Sequence, residues 1–263
     1  MNLAQLSSLK TWFKDYVADF YTGNDDDDRN IRLKEEHTHR VCRNITDLVN
    51  SLGLPSEAAC LAEAIALLHD IGRFMQYRKY RTFFDRISEN HARLGIRELA
   101  MARALSCLES QDRRILARAV SFHNAATLPD NEPELVLLFM KLIRDADKLD
   151  IWRVVTDYYR EKDIRPNKTI ELGLPDPPEC SDAVIRSILN HRFASVNDIK
   201  TLNDFKLLQI SWVFDLNFRK SFLLLKERRY IDAIYDTLPD LPAIRRAVNH
   251  AVHYLDAGCA GFS

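Results

Sequence analysis

Three features of the sequence predict an all-helical fold. Apolar residues recur at three- and four-residue spacing through most of the chain, runs of alternating Val, Ile and Thr are scarce, and only 7 glycines punctuate 263 residues. With 46% hydrophobic and 29% charged residues, the chain has the balance of a globular protein that can bury a full core. The formal net charge of −1 gives no electrostatic reason to expect a nucleic-acid polymer or an anionic membrane as partner. The longest apolar run, Leu135 to Met140, is far too short to span a bilayer. Met1 to Phe20 carries Lys10, Lys14, Asp15 and Asp19 and lacks the pattern of a signal peptide. Five scattered cysteines form no CxxC pair, so free thiols and a cytoplasmic location are expected.

The first helix is expected over residues 3–21, with Leu3, Leu6, Leu9, Phe13, Tyr16, Val17 and Phe20 on its apolar face and Gly23 and Asn24 ending it. Asp25 to Asp28 read as a solvated loop or as favourable charge at the start of the next helix. That helix, residues 30–52, carries Leu33, Val41, Ile45, Leu48 and Leu52 on one face, ahead of Gly53 and Pro55. His37 falls on this face; His39, rotated by about 200°, faces solvent. Ser56 is expected to cap a helix that buries Leu61, Ile65 and Leu68 and ends in His69-Asp70. Gly72 is the expected left-handed stop.

Residues 73–87, aromatic and basic without a period, read as a long loop or broken helix over that end. Ser88 is the expected cap of a helix carrying His91, with Leu94, Glu98, Met101 and Leu105 in register. The next helix, about 111–123, aligns Leu116, Ala119, Val120 and His123, and the one after, about 134–159, aligns Val136, Phe139, Ile143, Asp147 and Ile151. Residues 161–182, with four prolines, form a connector. Helices are expected to resume at 183–193, 201–227, 229–237 and 241–256. Leu207, Ile210, Phe214 and Phe218 then read as core or as a dimer surface, so the chain acts alone or as a homodimer.

Four histidines and an aspartate, His37, His69, His91, His123 and Asp147, thus interrupt apolar helix faces, with Asp70 adjacent to His69. An ionised carboxylate in such a place is costly unless it is paired or coordinated. Imidazole and carboxylate together suit manganese, iron, cobalt, nickel, zinc or magnesium.

In sequence order, Lys34-Glu35-Glu36-His37-Thr38-His39-Arg40-Val41, Leu68-His69-Asp70-Ile71-Gly72-Arg73 and Arg144-Asp145-Ala146-Asp147-Lys148-Leu149-Asp150 resemble the HD-domain superfamily of metal-dependent phosphohydrolases. The resemblance implies an all-α HD-domain helical bundle over residues 30–160. It leaves an N-terminal helix and acidic loop at 1–29, and a C-terminal helical extension at 161–263 packed on the core. It makes His37, His69, Asp70 and Asp147 ligands of one metal, and His91 and His123 match the subset with two ions, which Asp70 would bridge. Asp70 and Arg73 are the implied catalytic residues, and Arg73 and Lys148 the implied contacts to a small phosphate-containing substrate. The implied reaction is hydrolysis of a phosphate ester, a nucleotide or related metabolite, by metal-activated water. The glycine-tyrosine-proline motif of the cyclic-dinucleotide branch is absent. Two other activities share these ligands: di-iron oxygenation of a small polar substrate, and non-catalytic nucleotide binding. Arg40 is read as orienting a carboxylate; His39, His191, His250 and His253 are read as structural or exposed.

Overall fold

The computed structural model describes residues 1–161 and 168–261, and among them every regular element is helical. The chain divides into two compact units, Met1–Asp150 and Ile151–Ser263.

The first unit begins with α1 (Leu3–Ala18), whose N-terminus is closed by reciprocal hydrogen bonds between Asn2 and Gln5. Its buried residues, Leu6, Leu9, Phe13 and Val17, follow the helical period, whereas Leu3, expected on the same face, lies in the first turn and is 74% exposed. Asn24 caps α2 (Asp25–Ser51) by accepting from the amides of Asp26 and Asp27. The helix therefore starts five residues earlier than expected, and the acidic run is its first turn, where negative charge complements the exposed amides. Leu52, expected in the core, is 41% exposed because the helix has already ended. α3 (Ser56–Leu68) packs against α1, α2 and α6 (Ser110–Phe122) and, beyond its exposed first turn, is buried from Cys60 to Leu68 except at Glu63. Ser56 is not its cap: Pro55 holds that position, and the Ser56 hydroxyl bonds Glu57.

α4 (Ile71–Tyr80) follows α3 after only His69 and Asp70. Gly72 is therefore not a left-handed stop but lies in the first turn of α4. Its lack of a side chain serves close packing against α5 (His91–Met101): a Cβ there would stand 2.1 Å from the His91 carbonyl oxygen and 2.5 Å from the Gly95 nitrogen. Residues 73–87 thus take the broken-helix form of the two expected: α4 runs to Tyr80, and Asp85–Ile87 adds a 3-10 turn before α5. Asn90, not Ser88, caps α5 by accepting from the Arg93 amide. Ser88 instead donates to the Phe84 carbonyl and accepts from Gln76. After α6 comes α7 (Glu134–Glu161), within which the unit boundary falls.

The second unit contains α8 (Lys168–Glu171), α9 (Asp182–Leu189), α10 (Leu202–Ser211), α11 (Arg219–Glu227), α12 (Tyr230–Tyr235) and α13 (Pro242–Ala260). The helix expected over 201–227 is interrupted. α10 runs into a 3-10 turn at Trp212–Asp215, Leu216 is extended, and α11 starts afresh. Asn217 donates to the Asp215 carbonyl at 3.0 Å, a local bond that competes with helix continuation. α13 packs on α9 and α11. The expected connector at 161–182 contains α8, and its residues 162–167 lie outside the described set. Among the described residues, no helix is long and apolar enough to cross a membrane.

Candidate metal centre

The first unit brings all six expected ligands together. His37 comes from the middle of α2; His69 and Asp70 form the junction of α3 and α4. His91 opens α5, His123 follows the last turn of α6, and Asp147 sits on α7. Ligand atoms of His37, His69 and Asp70 lie within 4.8 Å of one another, as do those of His69, His123 and Asp147, and those of Asp70, His91 and His123. The four imidazoles and Asp70 are buried, while Asp147 retains 15% side-chain exposure.

Each histidine is held from behind. His69 Nδ1 lies 2.7 Å from the Ala66 carbonyl, and His123 Nδ1 lies 2.7 Å from the Val120 carbonyl. His37 Nδ1 is 2.7 Å from Asp150 Oδ2, and His91 Nδ1 is 2.8 Å from Asp85 Oδ2. Carbonyls and ionised carboxylates only accept, so all four Nδ1 atoms carry hydrogen and Nε2 is the nitrogen that each ring turns to the centre. The Nε2 atoms of His37 and His69 are buried without a hydrogen-bond partner. Those of His91 and His123 face each other at 3.0 Å. Two bare lone pairs at that distance repel unless a proton or a cation lies between them. Burial and the nearby Arg73 guanidinium push His91 down to about 3, which disfavours a proton there. A divalent cation satisfies the whole set, and the residues fit one.

Asp70 stands between two groups. Its Oδ2 is 3.6 Å from His37 Nε2 and 3.8 Å from His69 Nε2, and both rings also face Asp147 Oδ1, at 3.1 and 3.5 Å. Its Oδ1 is 3.3 Å from His91 Nε2 and 3.7 Å from His123 Nε2. Burial alone would raise the Asp70 carboxyl, but Lys34, the surrounding imidazoles and Arg73 hold it well below the usual carboxylate range. Asp147 is likewise held low against its burial by His37 and His69. Burial pushes His37 down, but the Asp147 and Asp150 carboxylates beside its two ring nitrogens outweigh that and carry it up to about 8, so that a positive charge, proton or cation, is favoured at its Nε2.

Arg73 and Lys148 take different positions. Arg73, 15% exposed, donates to Asp85 at 2.8 Å and holds its Nε 3.5 Å from Asp70 Oδ1. Lys148 is 7% exposed, its ammonium 3.5 Å from the Arg144 carbonyl one turn back. Arg40 bonds Asp150 Oδ1 at 2.7 Å and so steadies the carboxylate behind His37. His39 is exposed.

Several supporting residues escape a reading of the sequence. Lys34 lies 2.9 Å from Asp70 Oδ2. Asp85 backs His91, and Arg144 donates to the His123 carbonyl at 3.2 Å, where a cation complements the end of α6. Lys34 carries a usable signal, because it falls one turn before His37 on the same helix. Asp85 carries none, since it lies in an aperiodic stretch.

Residues 35–152 match the family model of the HD domain. Comparison with curated proteins and with solved structures returned no match. The matched span starts two residues before His37 and ends two residues after Asp150, so it contains all six expected ligands and the carboxylates behind His37 and His91. Residues 35–152 are therefore similar to the HD domain, whose superfamily is one of metal-dependent phosphohydrolases that bind divalent ions.

Proposed function

We propose that this protein hydrolyses a small phosphate ester, a nucleotide or related metabolite, using two divalent ions. The observation that carries the reading is the division of Asp70: one oxygen turns to His37 and His69, the other to His91 and His123. A shared carboxylate with imidazoles on both sides is the donor arrangement that holds two ions close together. Bound ions supply Lewis acidity toward phosphoryl oxygens and make water an accessible nucleophile near neutral pH.

The chain's own residues do the rest. His37, His69 and Asp147 form one ligand group, and His91 and His123 the other. Arg73 and Lys34 stand at the two oxygens of Asp70 and retain some exposure, which suits them to meet phosphate oxygens arriving at the centre. Lys148 adds positive charge from α7. Asp150 and Asp85 keep the imidazoles behind them in the tautomer that leaves Nε2 free.

The test is phosphate release from a panel of nucleotides and sugar phosphates by Mn(II)-loaded protein, with Asp70→Ala as control. Turnover by the wild type and none by the variant is the expected result. Oxygen uptake with a polyol or phosphonate by the iron-loaded protein, without phosphate release, would assign oxygenase chemistry instead.

A further inference from the structure

Of the four imidazoles, three are held by parts of the structure that are fixed independently. His69 and His123 lean on carbonyls three residues back in their own helices, and His37 leans on Asp150, which is 2% exposed and pinned by Arg40. His91 differs, because its support is Asp85, in the short turn between α4 and α5.

Asp85 serves several partners at once. Its Oδ1 accepts from Arg73 at 2.8 Å and from Gln76 at 2.9 Å and lies 2.9 Å from His91 Nδ1. Its Oδ2 lies 2.8 Å from the same Nδ1 and accepts from Asn124 at 3.2 Å. Gln76, fully buried, also donates to Ser88 Oγ and to the Glu89 carbonyl, so the conformation of the turn and the position of Asp85 are set together.

We infer that Asp85 is a positioning residue that couples the α4–α5 turn to capture of the second ion, by orienting His91 and by drawing Arg73 toward itself. The inference rests on the two-ion reading above. Without the Asp85 carboxylate, His91 loses an anionic acceptor that raises the basicity of its Nε2, and the ring is free to rotate. Arg73, whose Nε already stands 3.5 Å from Asp70 Oδ1, loses its counter-ion and turns to Asp70, where it competes with a cation. Both effects fall on the His91 and His123 side; neither reaches His37, His69 or Asp147.

The experiment is a calorimetric Mn(II) titration of wild type, Asp85→Ala and Asp85→Asn, with electron paramagnetic resonance of each loaded protein. The wild type should bind two ions and show the signal of an exchange-coupled pair. Asp85→Ala should bind one ion as the wild type does and the second about 10–100-fold more weakly, with a signal reverting to isolated Mn(II). Asp85→Asn, which keeps the shape and a neutral acceptor, should fall between. Two ions bound with unchanged affinities in Asp85→Ala, or equal weakening of both, overturns the inference. A wild type that binds fewer than two ions overturns the two-ion reading itself. If circular dichroism shows that Asp85→Ala does not fold, Asp85→Asn decides by the same criteria.

Discussion

Behind each imidazole of the cluster stands an acceptor, and that acceptor decides which nitrogen the centre sees. Asp150 shows this most clearly, since it touches His37 on one oxygen and Arg40 on the other. Asp150→Asn should lower Mn(II) affinity by about 10–100-fold with little change in helical content, as calorimetry and circular dichroism would show. Asp70→Ala removes the carboxylate common to both groups and should abolish metal binding and turnover while the protein stays folded. The cysteines divide by burial: Cys107 is exposed, whereas Cys42 is buried and its thiol is pushed up to about 12 by burial and by Glu63. Iodoacetamide at pH 8 should therefore modify Cys107 first and Cys42 only after unfolding, as peptide mass mapping would reveal. At this scale the clustering of the six residues was legible, because each is a polar residue on an apolar helix face or sits at its end. Asp85 and Arg144 were not, because a charged residue looks solvated until its distant partner is known; Lys34 differs only in lying one turn from His37 on the same helix.

The helices show a similar mixture. Long amphipathic segments such as α2 and α7 announce themselves by period, yet their ends do not. Ser56 and Ser88 are good capping residues by type, but the chain uses Pro55 and Asn90, one and two residues away. The interruption between α10 and α11 is hidden because Leu216 and Phe218 keep the sequence apolar through the break. Gly72 misled in a different way, since a glycine after a helical run reads as a terminator when its true service is to let two helices meet backbone to backbone. Gly72→Ala should cost about 3 kcal/mol or more in urea denaturation, because the obstructing atoms are main chain and have little room to yield. Gly95→Ala should cost less: its nearest obstacle is the Ile71 side chain at 3.0 Å. A smaller loss for Gly72→Ala than for Gly95→Ala would contradict this account of the crossing.

For the whole molecule, a cation bound at the cluster should add to the stability of the first unit. Four imidazoles and two carboxylates gathered without a cation leave buried Nε2 atoms unsatisfied. A ligand that binds only the folded state stabilises it by about 2.7 kcal/mol at a concentration a hundredfold above its Kd. Saturating Mn(II) should therefore raise the melting temperature, and a chelator should reverse the rise; calorimetric melts that ignore both additions would count against a metal centre. The second unit has no comparable signature in sequence. Among its described residues no cluster of three or more histidines, cysteines and carboxylates converges, so composition and period reveal its helices and nothing of their use.

The crossing of α4 and α5 also bears on inheritance. The atom that a side chain at position 72 would strike first is the carbonyl oxygen of His91, a residue of the centre. In a saturation library selected only for soluble expression, this position should return glycine almost alone, although no substrate or ion touches it. Any lineage that relaxed that constraint would shift His91 along with its helix, so drift in the scaffold and drift in chemistry are locked to a single codon.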